Sequence, residues 1–419
     1  MHVELVSIGA ELLLGYTLDT NSGFFARAAA AEGIQVVRRA TVDDGVETIT
    51  SAVREALERT GGVITSGGLG PTADDLTKPA IAALFGRELR LDQGILDALR
   101  ARWKARGWSG ELPEANHAQA WIPEGAVILE NRFGSAPGIW LEDAQGRWVA
   151  MLPGVPREFR GMTSEVLVPR LAAMIAKRGG AATVVRARTL RTTGIAESAI
   201  VGELGELAKD PMGVRLAYLP GWEGVDLRLM VSDVSAEQAS AQLERAEAAL
   251  RERVGRWIYG VEEAELTELI LSELRARGMR IAVAESCTGG MLGMRLTAVP
   301  GSSDVVQGGL IAYDNAVKVR ELGVRESTLA AHGAVSEEAA REMASGVRER
   351  FGVELGVSIT GVAGPGGGTP EKPVGTFCVA VDLRGAVRSV RTNAVGDRHE
   401  VRQRATQAAL NLVRRALNA

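Results

Sequence analysis

The 419-residue chain contains only two cysteines, Cys287 and Cys378, each inside an apolar run. Two thiols cannot staple a chain of this length, which excludes a disulfide scaffold and points to a reducing compartment. Histidine is nearly as scarce, with His2, His117, His332 and His399 scattered along the chain. None lies beside a serine in an arrangement that suggests a Ser-His-Asp triad, so nucleophilic hydrolysis would need another base. Charge of neither sign dominates. The formal net charge of −4 and a pI near 5.8 remove any global attraction to nucleic acid and restrict phosphate binding to local arrangements. No apolar run is long enough to span a bilayer, and Val3-Glu4-Leu5-Val6-Ser7-Ile8 reads as a strand with no basic region or small-residue cleavage site before it. The expected location is cytoplasmic, away from membranes.

Glycine is what the chain has in quantity, 50 residues against 4% aromatics. That mixture belongs to globular α/β proteins, in which turns separate short strands and helices. The length exceeds one ordinary hydrophobic core, so several domains are expected. The first segment reads as strand 3–8, helix 22–32, strand 34–40, helix 46–59 and strand 63–66. Such a run implies a parallel sheet with ligands beyond the C-terminal strand ends. Helical patterns at 94–106 and 114–120, strands near Val127 and Trp148 and a helix after Pro156 complete this domain near Arg170. Residues 183–255 change to a small α+β unit: strand 184–190, helix 196–208, strands 214–218 and 225–231, helix 236–253. Residues 255–263 read as a linker into a helix at 266–277, and a second alternating α/β pattern starts at Arg280. The expected domains are 1–170, 171–255 and 256–419.

In the third domain the buried-strand run Ile281-Ala282-Val283-Ala284 leads into Glu285-Ser286-Cys287-Thr288-Gly289-Gly290 and a helical pattern through Thr297. Ser286 thus falls at a strand-to-helix turn, where a hydroxyl lies over unpaired helix N–H groups that favour an oxyanion. Ser286 or Thr288 serving simply as a helix N-cap is the plain alternative. Tyr313-Asp314-Asn315-Ala316-Val317-Lys318 follows the apolar strand 310–312, which brings Tyr313 and Lys318 near the same sheet edge. Segment 358–367 leaves another strand through a loop whose glycines permit close backbone approach to a phosphate. A solvated lysine and an ordinary turn are the bland readings of these two segments. With no suitable histidine, a lysine whose pKa falls on desolvation can act as base, giving a Ser286–Lys318 pair. Cys287 is the rival nucleophile, but an apolar neighbourhood keeps a thiol protonated.

In order and spacing, segments 284–290, 313–318, 360–367 and 374–376 resemble the CinA C-terminal domain, the nicotinamide mononucleotide deamidase family. The resemblance implies that Ser286 attacks the carboxamide carbon, ammonia leaves, and water releases nicotinic acid mononucleotide. Lys318 and Tyr313 would activate or orient, with no cofactor. It further implies substrate contacts from Thr288, Gly289, Gly290, Asn315, Thr360, Gly361, Ala363, Gly364, Gly366 and Arg398. Arg402, one helical turn beyond Arg398, is another candidate for phosphate, with surface exposure the alternative for both.

Near the N-terminus, loop 9–21 leaves the first strand, and loop 65–77, containing Gly67-Gly68-Leu69-Gly70 and then Asp74-Asp75, leaves the third. A glycine-rich turn followed by acids can grip phosphates through backbone N–H groups while a carboxylate holds a divalent cation. Acids that merely complement a helix dipole are the alternative. With Leu152-Pro153-Gly154-Val155-Pro156-Arg157-Glu158, these loops resemble the CinA N-terminal domain, which shares its fold with molybdopterin-binding proteins. The resemblance implies an ADP-ribose pyrophosphatase yielding AMP and ribose 5-phosphate and needing a divalent metal ion at Asp75. Glu11, Asn21, Asp44, Thr65, Gly67, Gly68, Asp75, Pro153 and Gly154 would meet the substrate. Ala10 and Ser66 stand where the family usually has threonine. Residues 171–255 resemble the KH-like insert of full-length CinA proteins, for which a structural or dimerisation role is expected, in a homodimer. The whole reading is a bifunctional hydrolase of pyridine-nucleotide recycling whose partners are small nucleotides. Two rivals stand beside it. One is an N-terminal domain that holds a nucleotide or pterin without turnover. The other is an interaction protein in competence or DNA recombination, against which the acidic pI argues.

Overall fold

Strand β1 (His2–Ile8) is buried along both faces, with Val3 and Leu5 in one core and Val6 and Ile8 in another. A strand covered on both sides needs helices above and below, and the next segments supply them. After α1 (Thr20–Ala30), β2 (Gln35–Val42) pairs with one side of β1; after α2 (Val46–Thr60), β3 (Gly62–Ser66) pairs with the other, all three parallel. Crossing from one side of β1 to the other creates a topological switch, and the loops leaving β1 and β3 open into its crevice. Helices α3 (Thr77–Leu84) and α4 (Gln93–Ala105) follow. Strands β4 (Val127–Leu129), β5 (Gly138–Glu142) and β6 (Trp148–Leu152) complete a sheet of order β2-β1-β3-β6-β5-β4. β6 is parallel to β3, whereas β5 and β4 run antiparallel because hairpin-length connections leave no room for a crossover helix. The expected helix at 114–120 is a 3₁₀ run. Helices α5 (Pro156–Met162) and α6 (Val168–Lys177) carry the domain beyond Arg170.

The computed structural model describes residues 1–177 and 183–418, which group into two bodies, 1–186 with 231–241 and 187–230 with 242–419. The middle segment contributes β7 (Val184–Thr192), α7 (Glu197–Leu204), β8 (Arg215–Pro220), β9 (Val225–Val234) and α8 (Ala236–Val254). The expected linker at 255–263 is instead a 3₁₀ turn and a fourth strand, β10 (Ile258–Val261), antiparallel to β7 in the order β8-β9-β7-β10. Ile258 and Tyr259 supply the β-branched and aromatic residues that favour a strand there. KH modules clamp nucleic-acid backbones with a Gly-x-x-Gly loop. The expectation from sequence is that this segment lacks such a loop, but the spacing occurs twice, at Gly202 to Gly205 and Gly221 to Gly224. Each encloses a glutamate paired with arginine, Glu203 with Arg256 and Glu223 with Arg191 and Arg295, and a carboxylate in that position repels a polyanion.

The remaining chain forms α9 (Leu266–Ala276), β11 (Ile281–Glu285), α10 (Met291–Thr297), β12 (Val306–Ile311), α11 (Asn315–Leu322), α12 (Glu337–Phe351), β13 (Leu355–Gly361), β14 (Thr376–Leu383), β15 (Ala386–Asn393) and α13 (Arg398–Leu417). The sheet order is β12-β11-β13-β14-β15, with β12 and β13 parallel to β11 and the last two strands a hairpin. Helices α9, α10 and α13 cover one face and α11 and α12 the other. β11 therefore lies between two parallel neighbours reached in opposite directions, a second switch point, and Ser286 is the first residue past its C-terminal end. No helix among the described residues is long and apolar enough to cross a membrane.

Candidate functional site

Ser286 is nearly buried, 8% exposed, and its backbone N–H donates to the Ile359 carbonyl at 2.9 Å, holding the turn against β13. The N-cap alternative is ruled out: α10 begins at Met291, its N-cap is Gly290 in the left-handed region (φ 95°), and no side chain caps it. The expected role of the helix N–H groups also needs correction. The buried Glu285 carboxylate accepts from the N–H groups of Gly290 (3.1 Å), Leu292 (3.0 Å) and Gly293 (2.8 Å), so they are not free to meet an oxyanion. Glu285 is the residue that sequence reasoning missed. Its signal was an acid at the end of a wholly apolar strand, where a carboxylate survives burial only with donors around it.

Lys318 is 1% exposed. Its Nζ donates to the carbonyls of Ala312 (2.8 Å) and Tyr313 (3.1 Å), while the Ala312 N–H donates to the Glu285 carbonyl at 2.7 Å. Two hydrogen bonds thus link the lysine to the residue preceding Ser286 across the β11–β12 pair. Burial pulls the Lys318 ammonium down from the ordinary lysine value, with Asp314 and Cys287 pushing weakly the other way. Burial pushes the Cys287 thiol up to about 12, which leaves it protonated at neutral pH.

The remaining C-terminal residues divide into two groups. Arg398 donates to the Gly364 carbonyl (2.7 Å) and the Tyr313 hydroxyl (3.0 Å), and Arg402 donates twice to the Thr288 carbonyl (2.6 and 3.2 Å). These two arginines gather the serine turn, Tyr313 and the glycine loop around the start of α13. Gly289 and Gly290 shape the turn, Asn315 is exposed at the start of α11, and Gly366 faces open space. Thr360, by contrast, is buried and spends its hydroxyl on the Ala334 carbonyl (2.8 Å). Gly361 lies in β13 against Phe377, and Ala363 is buried, so these three support the loop rather than present groups from it. Thr288 is buried and its hydroxyl has no partner.

At the first switch point a cavity of about 430 Å³ is lined by Glu11, Asn21, Asp44, Gly67, Gly68, Asp75, Pro153 and Gly154, all expected from sequence. Thr65 is not among the lining residues: it points into the strand's other face, fully buried with its hydroxyl unpartnered. Gly67 (φ 112°) must be glycine because a Cβ would stand 2.3 Å from the Ile8 carbonyl oxygen. Asn21 donates to Ser66 Oγ (2.9 Å) and the Gly154 carbonyl (2.8 Å), so Ser66 acts as a partner of Asn21, whose own buried Oδ1 is unpartnered. Ala10 contributes its backbone N–H to Asp44 (3.0 Å). Asp75 accepts from the N–H groups of Gly70 (2.7 Å) and Thr72 (2.8 Å) and from the Thr72 hydroxyl, which folds the loop around its carboxylate. Asp19 and Glu158 also line the cavity and were not singled out. Although burial opposes it, hydrogen bonds from Ser22 and Ser7 hold Asp19 ionised below the usual carboxylate range.

Three family models divide the chain between them. The probable molybdopterin binding domain matches residues 4–173, the damage-inducible protein CinA KH domain 187–260, and the CinA C-terminal domain 263–417. The protein is therefore a multidomain α/β protein that joins a molybdopterin-binding-type module to a CinA module through a KH-like segment. It belongs to the CinA family: it is 58% identical to the CinA-like protein of Gemmatimonas aurantiaca over 99% of this chain and 96% of that one. The CinA-like protein of Salinibacter ruber is 42% identical, with both chains covered in full. The crystal structure of the competence/damage inducible protein CihA from Agrobacterium tumefaciens matches at 39% identity and a TM-score of 0.36, covering 37% of this chain and 94% of that one.

Proposed function

We propose that the C-terminal module hydrolyses the carboxamide of nicotinamide mononucleotide with Ser286 as nucleophile and Lys318 as base. The observation that carries the reading is the buried amine of Lys318 beside the serine turn. A neutral amine has two N–H bonds and one lone pair. The Ala312 and Tyr313 carbonyls take both N–H bonds, which leaves the lone pair to accept the Ser286 proton. The serine oxygen bonds to the carboxamide carbon, the C–N bond breaks, and ammonia departs with the proton held by Lys318. Water then attacks the ester through the same amine, releasing nicotinic acid mononucleotide and restoring the serine hydroxyl. Arg398, already on the glycine loop, stands where a 5′-phosphate would find a cation. Ammonia release from nicotinamide mononucleotide by the full chain tests the reading.

The pH dependence follows from the same amine. Catalysis needs its neutral form, so activity is present above the Lys318 pKa and is lost as pH falls through it. Asp314 accepts from the Ala316 N–H as N-cap of α11, and its charge favours the ammonium. Asp314→Asn keeps a cap acceptor but removes the charge, so the acid limb of kcat/KM for ammonia release should move to lower pH. A limb that stays in place, or moves upward, counts against Lys318 as the titrating base.

For the N-terminal module the reading is hydrolysis of ADP-ribose. The N–H groups of Gly68 and Leu69 have no acceptor among the described residues and would meet phosphate, while Asn21 Oδ1 would accept from a ribose hydroxyl. Among the described residues no three His, Cys, Asp or Glu side chains form a ready-made metal cage. The donors fit a hard cation only where one carboxylate, that of Asp75, shares it with phosphate oxygens of the substrate. A bound ion would supply charge neutralisation on the pyrophosphate. The rival, binding without turnover, is separated by measuring AMP release from ADP-ribose.

A further inference from the structure

Among the described residues, every backbone donor between 286 and 293 has an oxygen acceptor except two. Ser286 donates to Ile359, Gly289 to the Ser286 carbonyl (3.0 Å) and Met291 to the Thr288 carbonyl (3.3 Å), while Gly290, Leu292 and Gly293 donate to the Glu285 carboxylate. The N–H groups of Cys287 and Thr288 donate to no oxygen among the described residues, and the Cys287 N–H meets only its own weakly accepting thiol. They belong to the two peptide units directly after the nucleophile, in a segment where Ser286, Cys287 and Thr288 are all buried. Buried backbone N–H groups without an acceptor are rare and call for a reason. Catalytic sites supply one, since donors aimed at a developing negative charge stay empty until it forms.

The surroundings keep these donors empty and fixed. Helix N-terminal N–H groups would ordinarily compete for an oxyanion, but the Glu285 side chain occupies them, so within residues 286–293 the donors left without an acceptor among the described residues are the two beside Ser286. The Gly289 N–H bond to the Ser286 carbonyl polarises the peptide unit that carries the Cys287 N–H, strengthening it as a donor. Arg402 fixes the carbonyl of Thr288 from the other side. We propose that the backbone N–H groups of Cys287 and Thr288 form the oxyanion hole of this hydrolase, with Glu285 as the positioning residue that shapes the turn presenting them. The inference rests on the Ser286 reading above and adds the group that stabilises its tetrahedral intermediate.

The chain's two cysteines make the test direct. Full-length protein labelled with ¹⁵N-cysteine gives two backbone amide resonances, those of Cys287 and Cys378, assigned by Cys287→Ala. Cys378 lies within β14 and serves as the internal control. Pyridine-3-boronic acid is the probe: Ser286 Oγ bonds to boron, its proton goes to Lys318, and a tetrahedral boronate anion forms. The expected result is a downfield shift of the Cys287 amide proton on adduct formation, with Cys378 stationary. A tetrahedral ¹¹B signal from an adduct at Ser286 without that shift overturns the oxyanion assignment alone. No adduct at all removes the nucleophile reading and this inference with it. Glu285→Gln provides the second measurement, since an amide replaces one acceptor oxygen with a donor. The turn then misplaces the donors, and kcat should fall about 10- to 100-fold with KM within roughly threefold. Loss of thermal stability with an unchanged kcat would make Glu285 a structural cap only.

Discussion

Replacing Ser286 with alanine should abolish ammonia release from nicotinamide mononucleotide, by more than about 10³-fold in kcat, on the scale of nucleophile removal in serine hydrolases. The melting temperature should hardly move. The serine hydroxyl makes no hydrogen bond to any described residue, so its loss leaves no buried partner unsatisfied. Its backbone N–H, which ties the turn to Ile359, survives the substitution. The neighbouring thiol gives no rescue, because burial keeps Cys287 protonated. Hydrolysis of ADP-ribose should continue, since the residues lining its cavity all lie within 8–158. Undiminished ammonia release from the alanine variant would end the nucleophile assignment, and Cys287→Ala in the same background would show whether the thiol had taken over.

What the sequence disclosed and what it hid follow from the range of the interactions. The strand-helix alternation around Val3 and Ile281, and hence both switch points, was legible because burial on two faces writes a continuous apolar run. The gathering of Ser286, Tyr313 and Lys318 at the ends of β11 and β12 was legible through motif spacing. The strand at 258–261 was not, because Ile258, Gly260 and Val261 pair with Thr192, Arg191 and Leu190 far back in β7 and nothing local announces a partner strand. Nor was the work of Glu285: the donors it satisfies are created only when the chain turns after Ser286. The buried hydroxyls of Thr65 and Thr360 could not be placed from their motifs for a simpler reason. In a strand, consecutive side chains face opposite ways, so a motif can contain a residue whose side chain never reaches the ligand.

The second large effect is expected at Asp75, where the structure separates two roles that sequence alone merges. Its carboxylate accepts from Gly70, from the Thr72 N–H and from the Thr72 hydroxyl, so it staples the glycine loop whether or not it meets a cation. Asp75→Ala removes staple and charge together: metal-dependent AMP release should fall by more than about 10²-fold, the loss of several kcal/mol of charge stabilisation, and the domain should melt earlier. Asp75→Asn separates the two in part: the amide oxygen can keep the two Thr72 donors, the amide nitrogen cannot accept from Gly70, and the ion loses its anionic ligand. The asparagine variant should therefore melt between the native protein and the alanine variant, lose AMP release to the same extent as alanine, and require far more divalent cation for any residual rate. Ammonia release should be untouched in both variants. Full ADP-ribose turnover by Asp75→Asn at unchanged cation concentration would reduce this carboxylate to a loop staple and shift the search for the cation's ligand to Glu11, Asp19, Asp44 and Glu158, which line the same cavity.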